Sequence, residues 1–279
     1  MLALLLLATS IAAADIHGEW NALVKDDRVH LTVVRNHSDW GHSFPRSDFA
    51  ISDADINSTA EKPVQFSLKR DAGTIDFTGT FENGEGVGRF KFTPNPSYPE
   101  TLRSMGVAFD STLDDERLFS LAMHDISAAF IRDMQALGYR ENLESYVRFR
   151  IHGVTTDFVR ELRSLGYDKL SAQELVRFRI HGVSPQFIRD MKALGYSVTS
   201  EELVRFRIHG VSTDFVRELR DLGYRTLSSE DLVRMRIHGV STSFIRELAE
   251  AGYHGIPAEK LIQMRIHGID ASTLPGKKD

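Results

Sequence analysis

The spacing of apolar and polar residues divides the chain into two parts with different periods. Between residues 17 and 93 the two kinds alternate, which is typical of strands that bury one face. The clearest segments are RVHLTVV (28–34), VQFSLKR (64–70), TIDFTGTF (74–81) and GVGRFKFT (86–93), with a further strand opening at GEW (18–20). The pattern predicts a small, mostly antiparallel β domain over 15–93, with about five or six strands.

A repeat of 28–29 residues begins near residue 113 and continues to about 270. Its most constant phrase is RFRIHGV, found at 148–154, 177–183 and 205–211 and slightly altered at 234–240. Three prolines in TPNPSYPE (93–100) break the preceding alternation, so we expect a linker over 94–112. A polar tail, 271–279, follows the repeats.

Each repeat reads as a pair of short helices. In the copy at 171–196, Ser171 and Glu174 form a capping-box pattern at the start of the first helix. Gly182 suits the left-handed position that ends it, and Ser184 with Pro185 suits the start of the second helix. Short helix hairpins bury their apolar faces only by stacking on neighbours, so the prediction is an α-helical repeat solenoid.

A strand–helix repeat is the alternative interpretation of the same segment. Val176, Phe178 and Ile180 alternate with polar residues, as in the strands of a leucine-rich-repeat-like horseshoe. The capping boxes favour helices, because they have no role before a strand. On the helical interpretation we expect these three side chains to fill the core between repeats.

The N-terminal segment MLALLLLATSIAAA (1–14) is apolar and uncharged, with Ala12 and Ala14 before a candidate cleavage site. It is short for a membrane span and typical of a signal peptide, which predicts a periplasmic or secreted protein. An uncleaved segment that anchors the chain to a membrane is the alternative. No later apolar run is long enough to span a bilayer, and the chain has no cysteine.

Charge argues against a nucleic-acid partner. Residues 15–110 contain 15 acidic and 10 basic residues, whereas residues 111–279 contain 24 of each. A nucleic-acid binder normally carries a basic excess. We therefore expect the many arginines of the repeats to pair with carboxylates of neighbouring repeats.

The repeated histidines and arginines are the candidate binding-face residues. One histidine falls at the end of each first helix, where it is expected to cap the helix rather than share a metal with its neighbours, because packed helices lie about 8–10 Å apart. Each arginine is expected to pack its aliphatic carbons on apolar surface and to extend its guanidinium group into solvent. The set comprises His152, His181, His209, His238, Arg150, Arg179, Arg207 and Arg236.

A second group of polar residues lies in RNHSDWGHSF (35–44). His37, Asp39 and His42 are candidate metal ligands, although their spacing matches no known ligand pattern, and an exposed loop with a packed Trp40 is the favoured interpretation. The chain lacks H-E-x-x-H, G-x-S-x-G and phosphate-loop motifs. A non-catalytic protein without a cofactor is therefore expected.

The phrases FENGEGVGRFKFTPNPSY, MHDIS, FIRDMQALGY and the repeated RIHGV are similar to a known family. They resemble the extracytoplasmic C-terminal region of BlaR/MecR-type bacterial sensor metallopeptidases and related stand-alone exported repeat proteins, over residues 17–270. The family's membrane domain and its H-E-x-x-H zinc site are missing from this sequence, so no protease residue is carried over. The resemblance implies a non-catalytic sensing or binding region outside the cytoplasm.

These observations together predict an exported binding or sensing module. Its repeats are expected to engage a protein, a peptide or an envelope component. Two alternatives remain at this point: a small-ligand or metal-binding protein or enzyme that uses the β domain, and a structural spacer. Nothing in the sequence indicates the oligomeric state.

Overall fold

The computed structural model describes residues 16–35, 38–49, 51–110 and 112–274. A six-stranded antiparallel sheet precedes a series of short helices, which confirms the predicted α+β class. The chain divides between Ile151 and His152 into two compact units. The first unit contains the sheet and the first helices, and the second contains the later repeats. The predicted signal peptide, 1–14, lies outside the described residues.

The strands of the first unit form a sheet in the order β3-β2-β1-β6-β5-β4. Every neighbouring pair is antiparallel, as the alternating pattern predicts. Their bounds are β1 Ile16–Lys25, β2 Arg28–Arg35, β3 Ser38–Pro45, β4 Lys62–Arg70, β5 Gly73–Glu82 and β6 Glu85–Pro94.

Strand β3 occupies the segment that we expected to be an exposed loop, so that prediction is wrong. Trp40, His42 and Phe44 fall on one face of the strand, and Val33 and Leu31 of β2 are the partners of the first two. The intervening positions carry polar residues or glycine. This alternation satisfies the requirement for a half-buried strand, although its apolar face includes a histidine.

Aromatic side chains fill the buried face of the sheet around Trp20. The Trp20 ring lies 5.3 Å from that of Phe66 and 6.0 Å from that of Phe77, both in edge-to-face contact. Its indole nitrogen donates to the carbonyl groups of Thr78 (3.2 Å) and Arg89 (3.1 Å). The large ring is therefore buried without an unsatisfied donor.

In the described part of this unit, five α-helices follow or interrupt the strands. One of them, α2, lies inside the segment expected to be a linker and buries Tyr98 and Leu102. Another, α3, covers the sheet and places Phe119 in a stacked contact with Phe90 at 5.4 Å. Their bounds are α1 Asp53–Ile56, α2 Tyr98–Ser104, α3 Asp115–Met123, α4 Ala128–Ala136 and α5 Leu143–Ile151.

The second unit consists of nine-residue helices in regular succession. First helices of adjacent repeats pack on one another (α7, α9, α11, α13), and so do second helices (α6, α8, α10, α12). Because RFRI is helical in every copy, the strand–helix alternative is wrong. The bounds are α6 Thr156–Ser164, α7 Ala172–Ile180, α8 Pro185–Ala193, α9 Ser200–Ile208, α10 Thr213–Asp221, α11 Ser229–Ile237, α12 Thr242–Glu250 and α13 Ala258–Ile266.

The predicted capping boxes are present and also join neighbouring repeats. At the start of α7, Ser171 accepts from the Glu174 backbone, and Glu174 accepts from the Ser171 backbone. The second carboxylate oxygen of Glu174 accepts from Ser200 of the next repeat at 3.0 Å. Glu202 accepts from Ser229 in the same way at 2.6 Å. One glutamate thus caps its own helix and holds the next.

At the other end of each first helix, an arginine of the following repeat makes the connection. The Arg207 guanidinium lies 5.0 Å from the Phe187 ring centroid, and its Nε donates to the His181 carbonyl at 3.4 Å. Gly182, with φ +68°, leaves room for it, since a Cβ there would lie 3.2 Å from Arg207 Nη2. Equivalent arginine–phenylalanine stacks occur for Arg179 on Phe158, Arg236 on Phe215 and Arg265 on Phe244.

Ion pairs add a second set of contacts between repeats, as the balanced charge predicts. Among first helices, Arg177 contacts Glu201 at 2.6 Å and Arg205 contacts Glu230 at 2.9 Å. Among second helices, Arg246 contacts Glu218 at 2.7 Å. Exposed ion pairs of this type contribute about 0–1 kcal/mol each to the free energy of unfolding. We expect the arginine–phenylalanine stacks to contribute more.

Two substitutions in α9 test that ranking. Arg207→Met keeps an apolar stem but removes the stack and the bond to the His181 carbonyl, so we expect it to lower the free energy of unfolding by about 1–3 kcal/mol. Arg205→Met, the matched control, breaks an exposed ion pair and is expected to cost about 0–1 kcal/mol. Urea unfolding followed by circular dichroism gives both values, and equal losses would contradict the ranking.

Candidate functional site

An exposed row of isoleucines is the main apolar feature on the surface of the repeats. Ile180, Ile208, Ile237 and Ile266 are 57%, 50%, 52% and 48% exposed. Each is the last residue of a first helix. The prediction that Ile180 fills the core is therefore wrong: at the end of its helix it faces outward, while Phe178 and Val183 on either side are 1% exposed.

The candidate arginines Arg179, Arg207 and Arg236 lie at the same ends of the first helices as these isoleucines. Within the described ranges, no carboxylate lies within 4.0 Å of the guanidinium groups of these three residues. Arg150, their counterpart in the first unit, lies 5.1 Å from the Phe130 ring and contacts Asp125 at 2.7 Å. Among the described residues of the second unit, these three arginines therefore form a line of positive charges without paired acids.

The candidate histidines lie at the ends of these helices, and their backbone groups take part in the connections. His181, His209 and His238 are the C-cap residues of α7, α9 and α11. The carbonyl of His152 accepts from Arg179 at 3.3 Å, as that of His181 does from Arg207. An arginine of the next repeat thus supplies a hydrogen bond to the carbonyl group at this helix end, and capping by the imidazole stays a prediction.

These placements combine into one candidate binding face, which we call the isoleucine face: Ile180, Ile208, Ile237 and Ile266 with Arg179, Arg207 and Arg236. Packed helices lie about 8–10 Å apart, so the face repeats an apolar group and a cation at about that interval. Apolar residues exposed in a regular row are more informative than single exposed ones, which occur on all proteins.

The candidate metal ligands of 35–44 are not brought together as a group of three. His37 lies outside the described residues. Asp39 and His42 are three positions apart on β3, so their side chains point to opposite faces of the sheet. In the part of the chain that the structure describes, no group of three or more His, Cys, Asp or Glu side chains is placed to hold a metal ion.

His42 instead meets His124, a pairing that the sequence analysis missed. Their ring centroids lie 5.6 Å apart with the planes at 74°. His124 is the histidine of the first, divergent repeat, where MHDI replaces the usual IHGV. The two rings border a cavity of about 310 Å³ in the first unit, lined by Asp39, Trp40, Gly41, His42, Ser120, Met123 and His124.

Burial lowers the pKa of both histidines below the ordinary value of 6.5. For His42, the positive charges of Arg150 and Arg28 add to the effect of burial. For His124, the other contributions come from His42, Arg150 and Arg117. Since both burial and positive neighbours disfavour the imidazolium form, the pair is neutral near pH 7.

Comparison with known proteins assigns no function. No protein-family model, no curated protein and no solved structure matches the chain. The similarity to sensor metallopeptidases therefore stays a prediction. Across the described ranges, the structure contains no helix long and apolar enough to cross a bilayer.

The lowered pKa values predict acid sensitivity. Because the unfolded chain binds protons to these histidines near pH 6.5 and the folded chain does so only at lower pH, the free energy of unfolding should fall as the pH drops below about 6.5. Replacing His124 by Gln should make this decline shallower. Urea unfolding between about pH 7.5 and about pH 5.5 measures both slopes; a steeper decline in the variant would contradict the assignment.

Proposed function

We propose that the protein is a non-catalytic, exported binding module that engages a peptide or protein partner through the isoleucine face. The observation that supports the proposal is that most residues of RFRIHGV have a structural role, whereas the isoleucine faces outward. Its first arginine pairs with the next repeat, its phenylalanine is buried, its second arginine stacks on the preceding repeat, and its glycine ends the helix. The isoleucine is the apolar side chain of the phrase that stays about half exposed in each described copy.

The chemistry of the face indicates what kind of segment fits it. Half-exposed isoleucines offer apolar area at an interval of about 8–10 Å, which a partner matches with apolar side chains at a similar interval. The neighbouring guanidinium groups of Arg179, Arg207 and Arg236 are not paired with acids of the described residues. A segment in which apolar residues alternate with Asp or Glu complements both features.

The other functional interpretations have less support. An enzyme needs a group of catalytic side chains, and the repeated polar residues of the second unit are engaged in contacts between repeats. A structural spacer would account for those contacts but gives no reason for an exposed isoleucine in each copy. Export is supported by the apolar segment 1–14 with its small residues Ala12 and Ala14.

Peptide display tests the proposal with a defined probe. A library of random peptides selected on the purified protein should yield sequences that combine apolar with acidic residues. In fluorescence anisotropy, Ile208→Ser with Ile237→Ser should weaken binding of a selected peptide at least about tenfold, because each substitution removes roughly 1 kcal/mol of apolar contact.

A matched pair of substitutions in the sheet controls for general loss of apolar surface. Leu23 and Val87 are 48% and 59% exposed, similar to the isoleucines, but lie on β1 and β6. Leu23→Ser with Val87→Ser should leave peptide binding unchanged. Equal weakening by the two double variants, or a selection that yields no peptide above background, would favour the spacer.

A further inference from the structure

The cavity beside His42 and His124 has the features of a metal site that the isoleucine face does not explain. It lies between strand β3 and helix α3, within the first unit. Its two histidines come from distant parts of the chain and meet because α3 packs on the buried face of the sheet. Among the described residues, the imidazole rings of His42 and His124 form no hydrogen bond or ion pair to the next repeat, although the His124 carbonyl accepts from Arg150.

The separation of the two rings fits a shared metal ion. An imidazole nitrogen binds a metal at about 2.0–2.1 Å, which places the ring centroid about 3.2 Å from the ion. Two such rings that bind one ion with a tetrahedral or trigonal nitrogen–metal–nitrogen angle have centroids about 5.2–5.5 Å apart. The observed distance of 5.6 Å between the centroids of His42 and His124 is within a few tenths of an ångström of that range.

One of the ring nitrogens is buried without a partner. His124 Nδ1 is shielded from solvent and makes no hydrogen bond within the described part of the chain. Buried polar atoms in folded proteins are nearly always satisfied, and exceptions call for an unseen water, ion or ligand. A metal ion bound to this nitrogen would satisfy it.

The third candidate ligand is a thioether. Met123 lines the same cavity, is 4% exposed and directly precedes His124 at the end of α3. Imidazole and thioether ligands together favour copper(I). Zinc favours sites with more nitrogen, thiolate or carboxylate ligands, and calcium and magnesium favour oxygen ligands. Asp39 also borders the cavity, but strand alternation directs its side chain to the opposite face from His42.

The surrounding charge favours a monovalent ion over a divalent one. The positive charges of Arg150 and Arg28 disfavour a further positive charge at His42. Those of Arg150 and Arg117 have the same effect at His124. Arg150 is neutralised by Asp125 at 2.7 Å and Arg117 by contact with Glu144, whereas Arg28 donates to Ser43 and has no carboxylate partner among the described residues. Repulsion from the remaining positive charge is half as large for a single charge as for a double one.

We propose that His42, Met123 and His124 form a copper(I) site, with the cavity giving access to the ion. The site uses residues of the sheet and of the first repeat only, so it is independent of the binding function proposed for the isoleucine face.

Copper(I) titration of the full chain under anaerobic conditions, against a chromophoric chelator, tests this site. We expect one ion to bind, and X-ray absorption to show nitrogen and sulfur ligands. Met123→Leu nearly preserves side-chain volume and should weaken copper(I) binding at least about tenfold by removing the thioether. Zinc added in the same assay should bind more weakly than copper(I).

Met134→Leu in α4 is the matched control, since Met134 is fully buried but does not line the cavity. It should bind copper(I) as the wild type does, while His42→Gln should bind it more weakly. The proposal is overturned if the wild type binds no copper(I), if the absorption spectrum shows no sulfur ligand, if the two methionine variants bind alike, or if zinc binds more tightly.

Discussion

The stack of an arginine on a phenylalanine of the preceding repeat is the interaction on which the repeats depend. A nine-residue helix is too short to be stable alone, and a single helix hairpin has nowhere to bury its apolar faces. In one contact, Arg207 covers the Phe187 ring and supplies a hydrogen bond to the His181 carbonyl. The contact also requires Gly182, whose positive φ ends the helix and leaves space for the guanidinium group. The second arginine and the glycine of the repeated phrase are thereby fixed by one geometric requirement.

The first repeat shows what happens where the neighbour is a sheet instead of another hairpin. Asp125 takes the place of the usual glycine, with φ +50°, and its carboxylate contacts both Arg150 and Arg70. The Tyr98 hydroxyl donates to the Ile126 carbonyl, and the Asp71 carboxylate accepts from the Ala128 backbone. These contacts fasten the first hairpin to the sheet and bring its histidine to His42. A position that is only a helix end elsewhere thus becomes part of a cavity.

Local patterns in the sequence were sufficient for most of the fold but not for the candidate sites. Capping boxes and left-handed glycines act within a few residues, so the helix ends were predictable. Strand β3 was missed because His42 interrupts its apolar positions, between Trp40 and Phe44. Ile180 was wrongly placed in the core because alternation with Phe178 does not show which way the last residue of a helix faces. The meeting of His42 and His124 depends on how α3 packs against the sheet, and no local pattern contains that information.

The central claim is that the isoleucine of RFRIHGV, unlike its neighbours, is not needed for folding. Chemical unfolding of two triple variants measures this directly. Ile180, Ile208 and Ile237 are half exposed, whereas Val183, Val211 and Val240 of the same phrase are at most 1% exposed. Replacing the three isoleucines by serine should change the free energy of unfolding by less than about 1.5 kcal/mol, because surface substitutions are usually within about 0.5 kcal/mol each. Replacing the three valines by serine should cost several times more. Equal losses in the two variants would contradict the account.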